Sequence, residues 1–355
     1  MLSDESSPVK RTYTTPLDIE NGCIELTHGS GGLAMAQLID EMFVAAFDND
    51  LLRQGNDSAC FEVPTGYKIV TSVDAHVVSP LFFPGGDIGS LSVHGTINDV
   101  ATSGAQPLYL TAGFILEEGL PLKALHRVAT SMGLAARNAG VPIISGDTKV
   151  VEKGKGDGIF IATTGIGIAP RQMDISGSRA RPGDAVLING TLGDHGVTIM
   201  SLRNDLHFQT TLRSDSASLH TLVAGIIDVT SDVHVLRDPT RGGIASTLNE
   251  IAEQSQVGIK LQETAIPLNP QVKGACELLG LDPLYVANEG KMLVIVPNDS
   301  AERVLQAMLN HPLGRQSALI GEVVDDDRCM VTMQTALGGE RIVQRIAGEQ
   351  LPRIC

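Results

Sequence analysis

The sequence predicts a two-domain α/β protein in which helices and strands form α+β layers. The chain of 355 residues is longer than the ~150 residues expected of one domain. Apolar segments with strand and helix periodicity alternate along it, and a Gly-rich turn at residues 154–158 predicts a hairpin between two strands. A segment rich in Pro, Gly and Arg at residues 170–183 predicts the domain boundary. This pattern does not match a doubly wound parallel sheet.

The elements of the N-terminal half follow from the spacing of apolar residues. Helical periodicity begins at Leu33, directly after the Gly-rich segment His28–Gly32. We expect a strand that ends at Asp74 and another that Asp147 closes. The further elements of this half are a helix at 88–102, a strand at 108–116, a helix at 122–139 and the short strand at 141–144 that runs toward Asp147.

The C-terminal half again alternates strands and helices. Their predicted positions are 185–189, 195–202, 219–229, 233–236, 242–252, 259–262, 292–296, 301–309 and 319–324. The first residues and the last ten show no periodicity. We therefore expect a flexible extension (1–23), an N-terminal domain (24–170), a C-terminal domain (171–345) and a mobile tail (346–355).

The composition excludes several classes of function. The net charge is −15 and aromatic residues make up 3% of the chain, with no Trp, which argues against nucleic-acid and anionic-membrane partners. No apolar run approaches the length of a membrane span, and the N-terminus lacks a hydrophobic signal core. The five cysteines are scattered without a CxxC pair, so neither a zinc site nor a disulfide framework is predicted. We expect a cytoplasmic enzyme.

The Gly-rich segment before the first helix is a candidate phosphate site. Successive glycines expose backbone N–H groups, and a helix start adds partial positive charge. An ordinary turn with Ser30 near a helix N-cap explains the same residues. The candidate residues of this segment are Gly29, Ser30, Gly31 and Gly32.

Aspartates at strand ends and inside a helix favour a site for a metal ion and a nucleotide. Asp99 interrupts an apolar helix, where an unpartnered carboxylate is costly to bury. Mg²⁺ prefers oxygen ligands and would supply such a partner. Asp57 can equally be a turn residue, and Asp238 before Pro239 can equally be a helix N-cap. The candidate carboxylates are Asp57, Asp74, Asp99, Asp147 and Asp238.

Three other polar positions have both a functional and an ordinary explanation. Lys149 can meet a phosphate or lie at a strand edge, and Glu289 can be a general base or a salt-bridged turn residue. Cys355 can carry an acyl group on a swinging tail, with Arg353 beside it to favour the thiolate, or be an exposed residue without a role.

Taken together, the motifs resemble those of the HypE family of hydrogenase maturation factors, from about residue 24 to the end of the chain. This family is part of an ATP-dependent superfamily with aminoimidazole ribonucleotide synthetase, selenophosphate synthetase and thiamine-phosphate kinase. The terminal Pro-Arg-Ile-Cys makes the resemblance specific, and the extension before Cys23 departs from it. The segments that carry the resemblance are His28–Gly32, Thr71–Asp74, Pro80–Gly86, Gly95–Gly104, Gly113–Leu120, Gly146–Val151, Gly193–Gly196, Asp238–Gly243 and Pro352–Cys355.

The resemblance implies a fold, partners and a reaction. Two α/β domains are expected, with the N-terminal sheets of two subunits pairing into a dimeric β-barrel in a homodimer. A carbamoyltransferase, HypF, would place a carbamoyl group on Cys355, and ATP would drive its dehydration to a thiocyanate. The nitrile would become the cyanide ligand of the iron of [NiFe]-hydrogenase through the HypC–HypD scaffold complex.

The resemblance also assigns roles to residues. By analogy with the acidic motifs of the family, Mg²⁺ would be held by Asp57, Asp74, Asp99 and Asp238. The nucleotide would be lined by Asn98, Asp147 and Thr148. Glu289, oriented or charge-tuned by Lys149, is our hypothesis for the base that takes the amide proton.

Two alternative functions fit part of the same sequence. A selenophosphate synthetase has a reactive cysteine just before the Gly-rich segment, where Cys23 stands, but Cys23 lacks the Gly-Cys-Gly-Cys-Lys surround of that enzyme. A non-enzymatic scaffold would use the thiol of Cys355 as a passive carrier, and such a protein would have no need of the acidic set.

Overall fold

The computed structural model describes residues 13–53, 58–203 and 211–345. The helices are α1 (Leu33–Leu38), α2 (Ala45–Phe47), α3 (Asp50–Arg53), α4 (Ile88–Ala101), α5 (Leu122–Ala139), α6 (Asp194–Arg203), α7 (His220–Val229), α8 (Gly243–Ser255), α9 (Pro270–Leu279) and α10 (Asn298–Asn310). A π-helical segment, Ile39–Val44, joins α1 to α2, and short 3₁₀ turns lie at Leu26–Gly29, Glu263–Ala265, Pro283–Tyr285 and Pro312–Gly314.

The strands form two main sheets and one short pair. They are β1 (Tyr67–His76), β2 (Phe82–Phe83), β3 (Gly86–Asp87), β4 (Gln106–Glu117), β5 (Ile143–Val151), β6 (Ile159–Pro170), β7 (Asp184–Ile188), β8 (Val235–Arg237), β9 (Gly258–Gln262), β10 (Leu293–Pro297), β11 (Ala318–Val324), β12 (Val331–Gln334) and β13 (Glu340–Ile342). No helix in the described ranges is long and apolar enough to cross a lipid bilayer.

The N-terminal sheet has the order β1-β6-β4-β5, and this order contradicts the predicted hairpin. Strand β4 lies between β5 and β6, because Leu116 pairs with Val150 on one side and with Ile159 on the other. The loop at residues 152–158 therefore crosses the end of β4. There the carboxylate of Glu117 accepts backbone N–H groups of that loop, which holds the crossing in place.

Helices α4 and α5 cover one face of this sheet and were correctly predicted. Asp87 caps α4 by accepting the backbone N–H groups of Gly89 and Ser90. Helix α5 ends at Gly140, whose φ of 68° is the left-handed conformation that favours glycine. The core between the helices and the sheet contains fully buried leucine and isoleucine side chains, each worth about 1.5–3 kcal/mol when removed from water.

Two predicted strand ends were too early. Strand β1 continues past Asp74 to His76, and β5 continues past Asp147 to Val151. In both strands the carboxylate accepts the backbone N–H of the next residue at 2.8 Å. The residues around Asp74 and Asp147 can therefore continue their strands, because β6 supplies the remaining backbone partners of β1 and β4 supplies those of β5.

The C-terminal sheet has the order β13-β12-β9-β11-β7-β10-β8 and is largely antiparallel. Strands β7 and β10 are buried on both faces, between a core that includes α8 and a core that includes α7 and α10. The alternation of elements predicted for this half is confirmed. Helix α9 and strands β12 and β13 were missed.

Residues 214–219, here called the strap, link the two halves of the molecule. The strap has no regular structure, yet it is held on both sides. On the N-terminal side, the Ser214 N–H donates to the carbonyl of Pro84 at 2.8 Å, and Ser216 bonds the ring of His94 in α4 at 2.9 Å. Burial lowers the pKa of His94 to about 4, so this bond is made by a neutral ring near pH 7.

Candidate active site

Four carboxyl groups from both halves converge at one end of the two sheets, and we call them the carboxylate cluster: Asp74, Asp99, Asp238 and Glu289. Asp74 lies near the end of β1, and Asp99 lies in α4, which packs against β1. Asp238 follows β8 and Glu289 precedes β10, and these two strands are paired. The cluster therefore forms where packing brings α4 beside the β8–β10 end.

The hydrogen bonds of Asp74 and Asp99 differ, and so do their pKa values. Burial raises the pKa of Asp74, but the His76 ring at 3.1 Å and the Ala75 N–H outweigh burial and hold it below its usual value. For Asp99, burial and the neighbouring Asp74 outweigh a 2.8 Å hydrogen bond from the Ser72 hydroxyl, so its pKa is raised. One member of this pair is thus readily ionised and the other retains a proton more easily.

Asp238 and Glu289 are the members whose ionisation costs most. Burial raises the pKa of Asp238 well above its usual value, and the charges of Asp99 and Asp74 add to this effect. Burial also raises the pKa of Glu289, with the surrounding carboxylates adding to it. The Glu289 side chain is buried, and its Oε1 has no hydrogen-bond partner among the described residues. An unpartnered buried oxygen of this kind indicates a place for a ligand or a proton transfer.

The donor chemistry of the cluster suits a hard cation. Carboxylate oxygens are the ligands that Mg²⁺ prefers, and a cation would relieve the repulsion that adds to burial in raising the pKa values of Asp99, Asp238 and Glu289. Across the described ranges, no group of three His, Cys, Asp or Glu side chains lies close enough to hold a metal ion as it stands. The cluster therefore fits an ion held by one or two carboxylates together with water and phosphate oxygens, as is usual for Mg²⁺.

The Gly-rich segment lies beside the second half of β5. A Cβ built on Gly29 would come within 2.9 Å of the Cβ of Val150, so only glycine allows this approach. The N-cap of α1 is Gly32 rather than Ser30, whose hydroxyl donates to the carbonyl of Thr27. Gly31 has a φ of 79°. The fold thus brings the segment next to the strand that carries Asp147, Thr148 and Lys149.

On β5, Asp147 and Lys149 form an exposed ion pair with a distance of 2.8 Å from Nζ to Oδ2. The hydrogen bond from Lys149 holds the pKa of Asp147 below its usual value. The described partner of Lys149 is Asp147. Asp147 and the buried Thr148 line a cavity of about 90 Å³ whose other walls include Phe43 and Phe114.

The Asn98 side chain, predicted to line the nucleotide, is engaged by the protein itself. Its Oδ1 accepts the Leu219 N–H at 2.7 Å, and its Nδ2 donates to the carbonyls of Ala217 at 3.0 Å and Glu289 at 3.4 Å. Asn98 is buried at the end of α4. It therefore fastens the strap to the N-terminal half and makes a longer contact with the loop of Glu289.

The alternative role of Asp238 as a helix N-cap is wrong. Helix α8 begins at Gly243, four residues after Pro239, where the first turn was expected, and its N-cap is Gly242. The segment between Asp238 and α8 is instead held by Asn288, whose Nδ2 donates to the carbonyl of Pro239 at 2.9 Å. The loops that carry Asp238 and Glu289 are thereby joined.

Sequence reasoning missed two charged residues beside Glu289. Lys291 forms a buried ion pair with Asp215 of the strap, with Nζ 2.7 Å from Oδ2. Lys291 comes two residues after Glu289 in the sequence. The apolar strand that follows does not indicate that the Lys291 side chain is buried. Asp215 lies in a polar segment without periodicity, which carries no structural signal. Three predicted site residues, Asp57, Arg353 and Cys355, lie outside the described residues.

Comparisons with known proteins agree with this architecture. The model of the N-terminal domain of AIR synthase related proteins matches residues 55–169, and that of the C-terminal domain matches residues 181–334. The carbamoyl dehydratase HypE of Cupriavidus necator is 63% identical over 350 residues, which cover 99% of this chain and 100% of that protein.

Solved structures give the same result. A hydrogenase maturation protein HypE in complex with ATP has 51% identity and a TM-score of 0.89, covering 93% of this chain and 99% of that one. A HypE–HypF complex has 48% identity and a TM-score of 0.77, covering 87% of this chain and 99% of that one. The resemblance and the two-domain α/β fold are confirmed: the chain belongs to the HypE family of carbamoyl dehydratases, among the AIR synthase related proteins.

Proposed function

We propose that this chain is an ATP-dependent carbamoyl dehydratase, which converts a carbamoyl group on the thiol of Cys355 into a thiocyanate. The product supplies the cyanide ligand for the iron of [NiFe]-hydrogenase. The observation that carries the proposal is the carboxylate cluster with its unpartnered Glu289 oxygen, in a chain 63% identical over its length to a carbamoyl dehydratase.

The reaction needs the carbonyl oxygen of the thiocarbamate to leave, and an amide oxygen is a poor leaving group. It attacks the γ-phosphorus of ATP, ADP departs, and the oxygen then leaves as inorganic phosphate. Both N–H protons are lost as the nitrile forms; one ends on phosphate and the other is released. Bound Mg²⁺ supplies charge neutralisation at the phosphoryl oxygens. For this chain the task is to position the reacting groups and move the protons.

Glu289 is the group we assign to proton removal. Its raised pKa means that its ionised form is a stronger base than an ordinary carboxylate. Burial also keeps water from the activated ester, which would otherwise hydrolyse. Lys149, which contacts Asp147, is assigned to the phosphate groups and to tuning the charge that Glu289 experiences.

The other site residues divide between the cation and the nucleotide. Asp57, Asp74, Asp99 and Asp238 are assigned to Mg²⁺, one or two of them as direct ligands and the others through bound water. The nucleotide phosphates are assigned to Gly29, Ser30, Gly31, Gly32, Asp147 and Thr148. Asn98 is assigned to this site through the strap and the Glu289 loop that it holds. Arg353 is assigned to the tail, where its charge favours the thiolate of Cys355.

A homodimer completes the proposal. On β1, alternate side chains project from the sheet face opposite α4 and α5, and among them Ile69 is 59% and Val73 is 70% exposed. Ile115 of β4 is also exposed. A second copy of the sheet would cover these side chains and close a dimeric β-barrel. The further partners proposed are the carbamoyltransferase HypF and the HypC–HypD complex, in a reducing cytoplasm that keeps Cys355 a free thiol.

Intact-mass spectrometry of the full chain tests the function. After incubation with the carbamoyltransferase, carbamoyl phosphate and ATP, the protein should gain a carbamoyl group and then lose the mass of one water. Cys355→Ala should still bind ATP but gain no adduct, whereas the matched Cys23→Ala variant should behave as the wild type. A carbamoyl adduct that persists with ATP and Mg²⁺ present would identify a passive carrier instead.

A further inference from the structure

The ion pair between Lys291 and Asp215 is buried, and it lies next to the backbone of Glu289. The side chains of Lys291 and Asp215 are only 9% and 7% exposed, and their charged atoms are 2.7 Å apart. Two charges removed from water lose solvation that their attraction barely repays, and an apolar pair of similar volume is often as stable or more stable. Stability alone therefore does not explain why this pair is present.

The second oxygen of Asp215 contacts the backbone of Glu289. Asp215 Oδ1 accepts the Glu289 N–H at 3.1 Å, while Oδ2 accepts from Lys291. The next residue, Gly290, packs so closely against the strap that a Cβ there would clash with the carbonyl oxygen of Asp215. A single carboxylate thus holds the chain on both sides of Gly290.

Within the described part of the chain, Oε1 of the Glu289 side chain has no comparable restraint. This oxygen is buried without a hydrogen-bond partner there, so the direction of the carboxyl group depends on how the backbone is held. That backbone is held by Asp215 at its N–H, and Asn98 makes only a long contact of 3.4 Å with its carbonyl. The strap is itself fixed on the C-terminal side by a 2.8 Å hydrogen bond between Ser214 and His195.

We propose that Asp215 and Lys291 are positioning residues for the dehydration step, holding Glu289 so that its free oxygen faces the amide N–H. This inference rests on the proposed function. Asp215 fixes the Glu289 peptide, and Lys291 neutralises and orients Asp215. Misplacement of a catalytic group by about 1 Å can cost on the order of 100-fold in rate, which makes such a support effective without contact with substrate.

Steady-state kinetics of three variants test this role. Lys291→Met leaves Asp215 charged and unpaired, and Asp215→Asn places an amide N–H₂ against the ammonium group. Each should lower kcat for dehydration by about 10–100-fold, with little change in KM for ATP or in carbamoylation of Cys355. The double variant, an uncharged pair that retains an acceptor for the Glu289 N–H, should recover most of kcat.

The matched control is Arg341→Met, which removes an ion pair with Asp282 elsewhere in the C-terminal half and should leave kcat unchanged. Three results would each overturn the inference. The first is an unchanged kcat in both single variants, and the second is a loss of ATP binding and carbamoylation as large as the loss of kcat. The third is a double variant whose kcat is no higher than that of the worse single variant. Hydrogen exchange at the Glu289 amide gives a readout that needs no activity. Exchange should accelerate in Asp215→Ala, even in a protein whose wild type proves not to dehydrate the carbamoyl group.

Discussion

Replacing Asn98 by Ala should detach the strap from α4. The substitution removes the acceptor of the Leu219 N–H and the donors to the carbonyls of Ala217 and Glu289. Leu219 is fully buried, so water does not readily replace the lost acceptor. The expected result is a weaker connection between the two halves of the molecule, rather than the loss of a direct contact with a bound nucleotide.

The magnitude follows from the number of groups left without partners. A buried donor or acceptor that loses its partner costs about 1–3 kcal/mol. The buried Leu219 N–H loses a bond of 2.7 Å, which costs about 1–3 kcal/mol, and the carbonyl of the partly buried Ala217 adds less because water can reach it. The Glu289 contact of 3.4 Å is too long to add much.

Hydrogen exchange measured by mass spectrometry, together with urea unfolding, tests this prediction. In Asn98→Ala the Leu219 amide should exchange much faster than in the wild type, and the free energy of unfolding should fall. The control Asn249→Ala loses bonds to the carbonyls of Ala245 and Val343, so it should lower stability without affecting the Leu219 amide. A Leu219 amide that exchanges at the wild-type rate in Asn98→Ala would refute the reasoning.

Three other changes test the remaining assignments. Because burial raises the pKa of Glu289, the folded chain binds that proton more tightly than the unfolded chain, and this stabilisation is lost as pH rises above the ordinary value of 4.5. Glu289→Gln should therefore be more stable than the wild type in urea at about pH 7 but not at about pH 4, and a variant less stable at pH 7 would contradict this. Asp99→Asn should weaken ATP binding in the presence of Mg²⁺ by about tenfold or more in calorimetry, and an unchanged affinity would remove Asp99 from the metal site. Cys23→Ala should keep full dehydratase turnover, because Cys23 is an exposed thiol with no assigned part, and loss of turnover would favour the selenophosphate synthetase alternative.

Apolar periodicity predicted most elements because it reports which side of a helix or strand is buried. Helices α4 and α5 are long, and strands β7 and β10 are short continuous apolar runs, so all four were found close to their true bounds. The prediction of a hairpin was wrong because a Gly-rich turn indicates only that the chain reverses direction. Which strand lies next to β5 depends on β4, whose position no local pattern encodes.

The site was predicted in part for a similar reason. Asp99 was conspicuous because it interrupts an apolar helix, and Asp74 because it follows a run of strand residues. Asp215 had no such signal, since its role comes from a contact with Lys291, 76 residues away in the chain. The sequence also contained no sign that the Asn98 side chain bonds the strap, because the groups that it bonds are backbone groups, which every residue possesses.

The strap also limits how the two halves can be recombined. Its residues belong to the C-terminal half, but Pro84, His94 and Asn98 of the N-terminal half hold them. Separate expression of fragments divided near residues 170–183 would leave these contacts unmade in both pieces. A chimaera that joins domains from two relatives at that linker would work only when both parents share the same interlocking set, so domain shuffling should select for matched pairs of α4 and strap.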